Sequence, residues 1–260
     1  MAAVEIPAVR LPHDVQLPVI GFGTAGLLGE SGYASVRDAL DAGYRMVDTA
    51  TRYRNEAEVG KAVRDSGLDR SAVFVTTKLP PDEAGRESAV LDASLSALGL
   101  DYVDLWLVHW PPGGAAAVST WEAFLAARES GKARAVGVSN YSIAQVDELI
   151  AATGVAPAVN QVPWSPPRHD PETLAASRER EIVVMGYGPL RRTDLADPTL
   201  AAVAGTHGVS PAQVVLRWHL HHGVVVIPRS ADPHRRRANL DVLTFALTPD
   251  EIAAIDALAR

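Results

Sequence analysis

The feature that most constrains this chain is a rhythm in its hydropathy. Short runs that are apolar almost throughout recur at residues 19–23, 44–48, 73–78, 103–109, 134–139, 158–161, 182–187 and 224–227, separated by stretches with apolar residues at helical spacing. In residues 83–98, Val90, Leu91, Leu95 and Leu98 recur at that spacing, and residues 119–131 end on Gly131, a helix stop. Strands that are apolar on both faces must be covered on both, and strands that alternate with helices join in parallel. Eight such units in about 240 residues predict an α/β chain closed as a (β/α)8 TIM barrel, an architecture of roughly 250 residues that folds as one unit. Residues 1–260 are therefore expected to form a single barrel domain.

Two pieces lie outside the alternation. Residues 4–17 read as two short strands around Pro12-His13-Asp14, a hairpin expected to plug one end of the barrel. Residues 211–220 and 248–259 read as extra helices. The second opens on a capping box, with Thr248 at the N-cap, Pro249 at the first helical position and Glu251 three residues after the cap.

Composition narrows the chemistry. With no cysteine, a disulfide framework, a thiolate nucleophile, an iron-sulfur cluster and cysteine-ligated zinc are excluded together. A net charge of −7 argues against a general nucleic-acid surface and leaves a small molecule as the expected partner of a monomeric chain. Residues 1–9 have neither the basic start nor the apolar core of a secretory signal, and no apolar run approaches the roughly 18 residues of a membrane span. A cytoplasmic protein that binds no membrane is expected. His219, His221 and His222 invite a metal reading, but no carboxylate accompanies them in the sequence, so a solvated helix end and no metal are expected.

Gly21-Phe22-Gly23-Thr24-Ala25-Gly26 matches the dinucleotide fingerprint GxGxxG letter for letter. The fingerprint requires a helix opening at its third glycine, and here Gly29 and Gly32 occupy the places of the first helical turns. The segment reads better as a strand end whose glycines admit a ligand or another backbone.

The polar residues at the C-terminal ends of the predicted strands carry more information, because that rim is where such barrels place their chemistry. The second run ends in Asp48, followed by Tyr53, Asn55 and Glu56; the third ends in Lys78 and the fourth in His109. The next three deliver Ser139 and Asn140, then Asn160 and Gln161, then Tyr187. One such residue is ordinarily a cap or an ion pair. Six consecutive strands supplying them to one rim indicate a site.

At this point the chain resembles the aldo-keto reductase family, and within it the bacterial 2,5-diketo-D-gluconate reductases. The resemblance spans nearly the whole sequence: Gly21 to Thr24, Asp48 to Glu56, Thr76-Thr77-Lys78, Leu107 to Pro111, Gly137 to Asn140, Asn160-Gln161 and Ile227 to Ser230. It implies a barrel enzyme that lays extended NADPH across the rim and reduces an aldehyde, ketone, dicarbonyl or keto sugar. Asp48, Tyr53, Lys78 and His109 match the family's catalytic tetrad. Tyr53 would be the proton donor, but a free phenol has a pKa of about 10 and must be tuned, which the Lys78 ammonium, held by Asp48, would do by favouring phenolate. His109, as neutral imidazole, would orient the substrate oxygen.

The resemblance also implies the cofactor site. Ser139, Asn140 and Gln161 would hold the carboxamide and Tyr187 would stack on the nicotinamide, with Gly23, Thr24, Gly188 and Leu190 lining its path. Arg229, Ser230 and Arg235 would bind the 2′-phosphate and Asn239 the adenine, while Arg236 and Arg237 are expected to face solvent. NADPH is expected to bind in preference to NADH. Around the substrate, Ala25 and Pro80 stand where relatives usually carry aromatics, leaving Trp110 beside His109 and a roomier pocket. The chain also stops at Arg260, where relatives generally continue into a loop over the substrate, so broader selectivity is expected. Two other readings stay open here: an NADPH-sensing regulatory protein of the same superfamily, and a non-redox barrel isomerase that binds substrate phosphate at the Arg229 cluster.

Overall fold

The computed structural model describes residues 6–191 and 193–259, so Val4 and Glu5 of the expected hairpin and the terminal Arg260 lie outside it. The chain opens with β1 (Ala8–Arg10) and β2 (Gln16–Pro18), paired antiparallel in the register Ala8 to Pro18 and Arg10 to Gln16. The intervening turn, Pro12–Asp14, puts His13 and Asp14 at φ of 62° and 61°.

Eight parallel strands follow in sequence order: β3 (Phe22–Gly23), β4 (Met46–Asp48), β5 (Phe74–Leu79), β6 (Val103–Val108), β7 (Ala133–Ser139), β8 (Val159–Pro163), β9 (Val183–Tyr187) and β10 (Val225–Val226). The last strand returns to the first through a parallel bridge between Ile20 and Val226, with Gly21 N donating to Val226 O at 2.9 Å and Val226 N to Val19 O at 3.0 Å. This closes the sheet into the expected barrel.

Strand β6 shows why its sequence is apolar throughout. Its Leu105 and Leu107 point into the barrel, onto Met46, Phe74 and Met185, whereas Trp106 and Val108 point outward against the helices. Leu11, Val15 and Leu17 of the hairpin segment join the interior cluster and seal the end of the barrel opposite the strand C-termini.

The covering helices are α1 (Gly29–Ala42), α2 (Glu56–Arg64), α3 (Glu87–Leu98), α4 (Val118–Glu129), α5 (Ile143–Thr153), α6 (Pro171–Glu179), α7 (Pro198–His207), α8 (Pro211–His221), α9 (Pro233–Leu240) and α10 (Pro249–Asp256). Both helices expected as extras are present as α8 and α10, and Thr248 and Glu251 make the reciprocal capping-box bonds. Three expectations need correction. Helix α3 begins at Glu87 because Pro81–Glu83 forms a 3-10 turn and Gly85 takes φ +88°. Helix α7 was not anticipated, because its apolar stripe is short, Leu200, Val203 and Ala204 only, among small residues. Finally, α1 does begin three residues after Gly26 despite Gly29 and Gly32. Glu58 accepts the Gly29 amide at 3.2 Å in place of an N-cap side chain, and a side chain at Gly32 would lie 2.8 Å from the Leu27 carbonyl. The GxGxxG stretch still serves a barrel, since Phe22 and Gly23 pair with β4 on one side and the Gly23 amide donates to the Pro228 carbonyl at 3.1 Å on the other. No helix among the described residues is long and apolar enough to cross a membrane.

Candidate active site

The parallel register brings the strand ends to one rim. Asp48 ends β4 opposite Thr76 of β5, and Lys78 lies two residues farther along β5, opposite Leu107. Lys78 is fully buried, and its ammonium donates to Asp48 Oδ1 at 2.5 Å and to the Thr49 carbonyl at 2.8 Å. Asp48 Oδ2 accepts from Gln161 Nε2 at 2.8 Å. A dry ion pair is tolerable only when its remaining lone pairs and protons are matched in this way.

Tyr53 sits in the 3-10 turn Thr51–Tyr53, pinned to β5 by the bond from Thr51 Oγ1 to the Lys78 carbonyl at 3.0 Å. Lys78 Nζ lies 5.2 Å from the centroid of its ring, and the His109 ring meets it edge-on at 5.8 Å and 80°. The Lys78 charge is the strongest single influence on the phenol and lowers its pKa, but burial and the Asp48 carboxylate together outweigh it. The phenol therefore ends above its ordinary value of about 10, not below it as the sequence alone suggested. Burial opposes the charge on Lys78, yet Asp48 and Tyr53 more than compensate and keep it protonated. His109 is pushed down to about 3 by burial and by the charges of Lys78 and Arg52, so its imidazole is neutral. Its Nδ1 is buried with no partner.

Beside this cluster, Ser139, Asn140, Gln161 and Tyr187 form a second polar corner. Asn140 adopts φ +64°, a conformation Asn tolerates better than most residues. From there its Nδ2 donates to the His109 carbonyl at 3.0 Å and to Ser139 Oγ at 2.9 Å, while its Oδ1 accepts from the Tyr187 hydroxyl at 2.9 Å. Ser139 Oγ donates to the Gln161 carbonyl at 2.8 Å, and Gln161 Nε2 also meets Met185 Sδ. Asn160 differs from the other rim residues. It is buried against the Tyr141 carbonyl, outside this corner.

A groove of about 540 Å³ is lined by Asp48, Tyr53, Tyr187, Gly188, Leu190 and Arg229, with Gly23, Thr24 and Ala25 forming a second part of its wall. Asn55 holds that second part in place: its Nδ2 donates to the carbonyls of Thr24 and Leu27, and its Oδ1 accepts from Thr49 Oγ1 at 2.6 Å. Farther on, Ser230 is tied into a local turn with Asp232, Arg235 is exposed on α9, and Asn239 is buried beside the Tyr44 hydroxyl. Near the substrate end, Ala25 is exposed, Pro80 is buried and Trp110 is 46% exposed.

Two expectations fail on packing. Arg236 is buried, not solvent-facing, and pairs with Asp38 of α1 at 2.7 Å; Arg237 remains exposed. The His219 end of α8 is solvated only in part: His221 is exposed, but its neighbours are not free. His219 is fully buried between the carbonyls of Val215 and Trp164, and His222 meets a carboxylate after all, Asp256 of α10, at 2.9 Å. Arg191, which also lines the groove, was missed; the signal was an arginine pair directly after the strand end and its Gly188.

The chain was compared with known proteins. It is similar to 2,5-diketo-D-gluconic acid reductase B of a Corynebacterium, 44% identical over 261 residues, spanning 98% of this chain and 94% of the relative. It is also similar to the morphine 6-dehydrogenase of Pseudomonas putida, at 41% identity, 97% of this chain and 91% of the relative. The crystal structure of a Bombyx mori aldo-keto reductase in complex with NADP superposes with a TM-score of 0.91 at 32% identity, covering 99% of this chain and 94% of that one. Residues 19–260 match the model of the Aldo/keto reductase family, and the chain belongs to that family.

Proposed function

We propose that this protein reduces the carbonyl group of an aldehyde, ketone, dicarbonyl or keto sugar with NADPH, residues 1–260 acting as one unit that holds every group of the site. The observation that carries the reading is the convergence of Asp48, Lys78, Tyr53 and His109 beside a groove that Asp48, Tyr53 and Arg229 all line. The residues present fit the cofactor. The groove has the size of a ligand site, Ser139, Asn140 and Gln161 offer donors and acceptors suited to a carboxamide, and Arg229 supplies an exposed guanidinium for a phosphate.

NADPH, when bound, supplies the hydride that goes to the carbonyl carbon. The remaining work belongs to the chain. His109, held neutral, donates a hydrogen bond to the substrate oxygen and orients it. Tyr53 enters the reaction protonated, because its phenol lies above its ordinary value. It still gives up its proton readily, since the alkoxide forming on the substrate is a far stronger base than a phenolate. Lys78 stabilises the phenolate as it appears, and Asp48 keeps the ammonium in position. Trp110 forms a wall of the substrate pocket, which Ala25 and Pro80 leave wider than an aromatic lining would.

At the far end Arg229 and Ser230, joined by Arg235 from α9, hold the 2′-phosphate, and Asn239 faces the adenine. One charge-assisted contact is worth about 1.5 to 3 kcal/mol, a preference for NADPH over NADH of roughly 10- to 100-fold. Steady-state rates with a panel of a dozen carbonyls test both halves of the proposal. Turnover with NADPH at a much lower Michaelis constant than with NADH is expected. Equal constants remove the 2′-phosphate site, and no oxidation of NADPH with any carbonyl removes the reductase.

A further inference from the structure

We propose that Arg191 binds the diphosphate of the dinucleotide and so sets affinity for both NADPH and NADH without choosing between them. This rests on the cofactor reading above.

After Tyr187 the chain turns at Gly188, with φ +61°, and Arg191 N donates to the Gly188 carbonyl at 2.8 Å. The Arg191 side chain folds back over that glycine. A side chain added at Gly188 would lie 3.4 Å from Arg191 Cβ and 3.8 Å from its Cδ, in a backbone conformation that L residues avoid. The tight turn thus lays a guanidinium along the groove wall directly beyond the Tyr187 corner.

Arg229 lines the other part of the same groove, its guanidinium reaching within 3.8 Å of the place where a side chain on Gly26 would begin. Among the described residues neither arginine has a carboxylate within 4.0 Å, whereas Arg235 pairs with Asp232, and Arg236 and Arg237 both pair with Asp38. In a chain with 31 acidic side chains, two guanidiniums left without partners in one groove mark the path of an anion.

The neighbours of each arginine say which anion it meets. Tyr53 and Tyr187 line the groove, Arg191 follows four residues after Tyr187 on the turn at Gly188, and Arg229 adjoins Ser230 and the α9 residues read above as the 2′-phosphate site. A dinucleotide with its nicotinamide beside the tyrosines and its 2′-phosphate at Arg229 carries its diphosphate between them. Arg191 meets the group that both cofactors share, and Arg229 the group that only one has.

The test is a set of binding titrations followed by protein fluorescence quenching, using NADPH and NADH on the wild type, Arg191→Ala, Arg191→Lys and Arg229→Ala. Loss of one partly exposed charge-assisted contact should weaken Arg191→Ala about tenfold toward both cofactors, with their ratio unchanged. Arg191→Lys should recover part of the loss, and the loss should shrink as salt is raised. Arg229→Ala should instead narrow the ratio. Affinities unchanged in Arg191→Ala overturn the proposal, as does a loss confined to NADPH, which would assign Arg191 to the 2′-phosphate. A change seen only in the carbonyl Michaelis constant would assign it to substrate and equally overturn it. A wild type that binds neither cofactor sinks the cofactor reading itself, a result distinct from all of these. Arg191 is exposed, so an unchanged thermal midpoint is expected and certifies the variants as folded.

Discussion

Two buried carboxylates near the barrel strands, Asp48 and Asp104, face the same problem and are solved differently. Each is 2% exposed and each meets basic side chains. Asp104, near the N-terminal end of β6, has both oxygens occupied: Arg70 Nη2 at 2.7 Å and the Val75 amide at 2.9 Å on one, Arg134 Nη1 at 3.3 Å on the other. Its arginines keep part of their surface in water, and the Arg70 guanidinium lies 4.1 Å from the centroid of the Tyr102 ring. Arg70 Nε is buried there without a hydrogen-bond partner among the described residues, but both guanidiniums are tied to the carboxylate and no imidazole joins them. At the opposite rim the cation is a lysine with no exposure at all, a phenol lies beside it, and a neutral histidine retains an unpartnered buried nitrogen. The first arrangement closes a barrel end, and the second, on the function proposed above, holds charge ready where a reaction needs it.

The sharpest way to break this comparison is Tyr53→Phe. General acid catalysis contributes about 10² to 10⁴ in rate, so turnover should fall by roughly 10³-fold while NADPH affinity stays within about twofold. A variant that keeps most of its activity removes Tyr53 as the acid. The next effect is on folding. Lys78→Met leaves Asp48 buried without its cation and should cost about 3 to 5 kcal/mol of stability together with activity. Asp104→Asn weakens bonds to two arginines that can turn to water, and should cost only about 1.5 to 3 kcal/mol with kcat/KM within twofold of the parent. Denaturant titration and steady-state rates on the two variants measure both. Equal losses of activity would mean that the ends of the barrel are not divided between structure and chemistry.

How far the sequence could be read follows from which signals are local. The strands of the barrel emerged because burial on both faces writes an apolar run into each, and their ends fell within two residues of those observed except at the first, which begins at Phe22 and not at residue 19. The polar residues at the rim were visible because a Lys or His ending an apolar run is locally conspicuous. What was not legible depends on contacts distant in sequence. Arg236 cannot be told from Arg235 and Arg237 until α9 packs on α1 and brings Asp38, 198 residues away, against it. His219 looks like part of a solvated triplet until the loop after β8 places the Trp164 carbonyl over it. The direction of the Tyr53 shift belongs to the same class, because Lys78, Asp48 and burial oppose one another and only their sum decides.

The smallest effect concerns pH and separates the two titratable groups that face each other across the site. His109 has an ordinary pKa of 6.5 and is held down to about 3, so no limb of the rate profile should appear near 6.5. A depressed histidine binds no proton in the native state while the unfolded chain does, so its contribution to stability is complete above pH 6.5 and is lost as pH falls toward 3. Tyr53 is raised, so the rate of carbonyl reduction should stay level from pH 6 to 9 and decline only above about 10, as the phenol loses its proton. In His109→Gln the stability curve between pH 6.5 and 3 should flatten, while the high-pH limb should stay where the phenol puts it. A limb near 6.5 in the wild type that vanishes in His109→Gln would show that the imidazole takes up a proton during turnover. In that case burial and the charges of Lys78 and Arg52 would not hold it neutral.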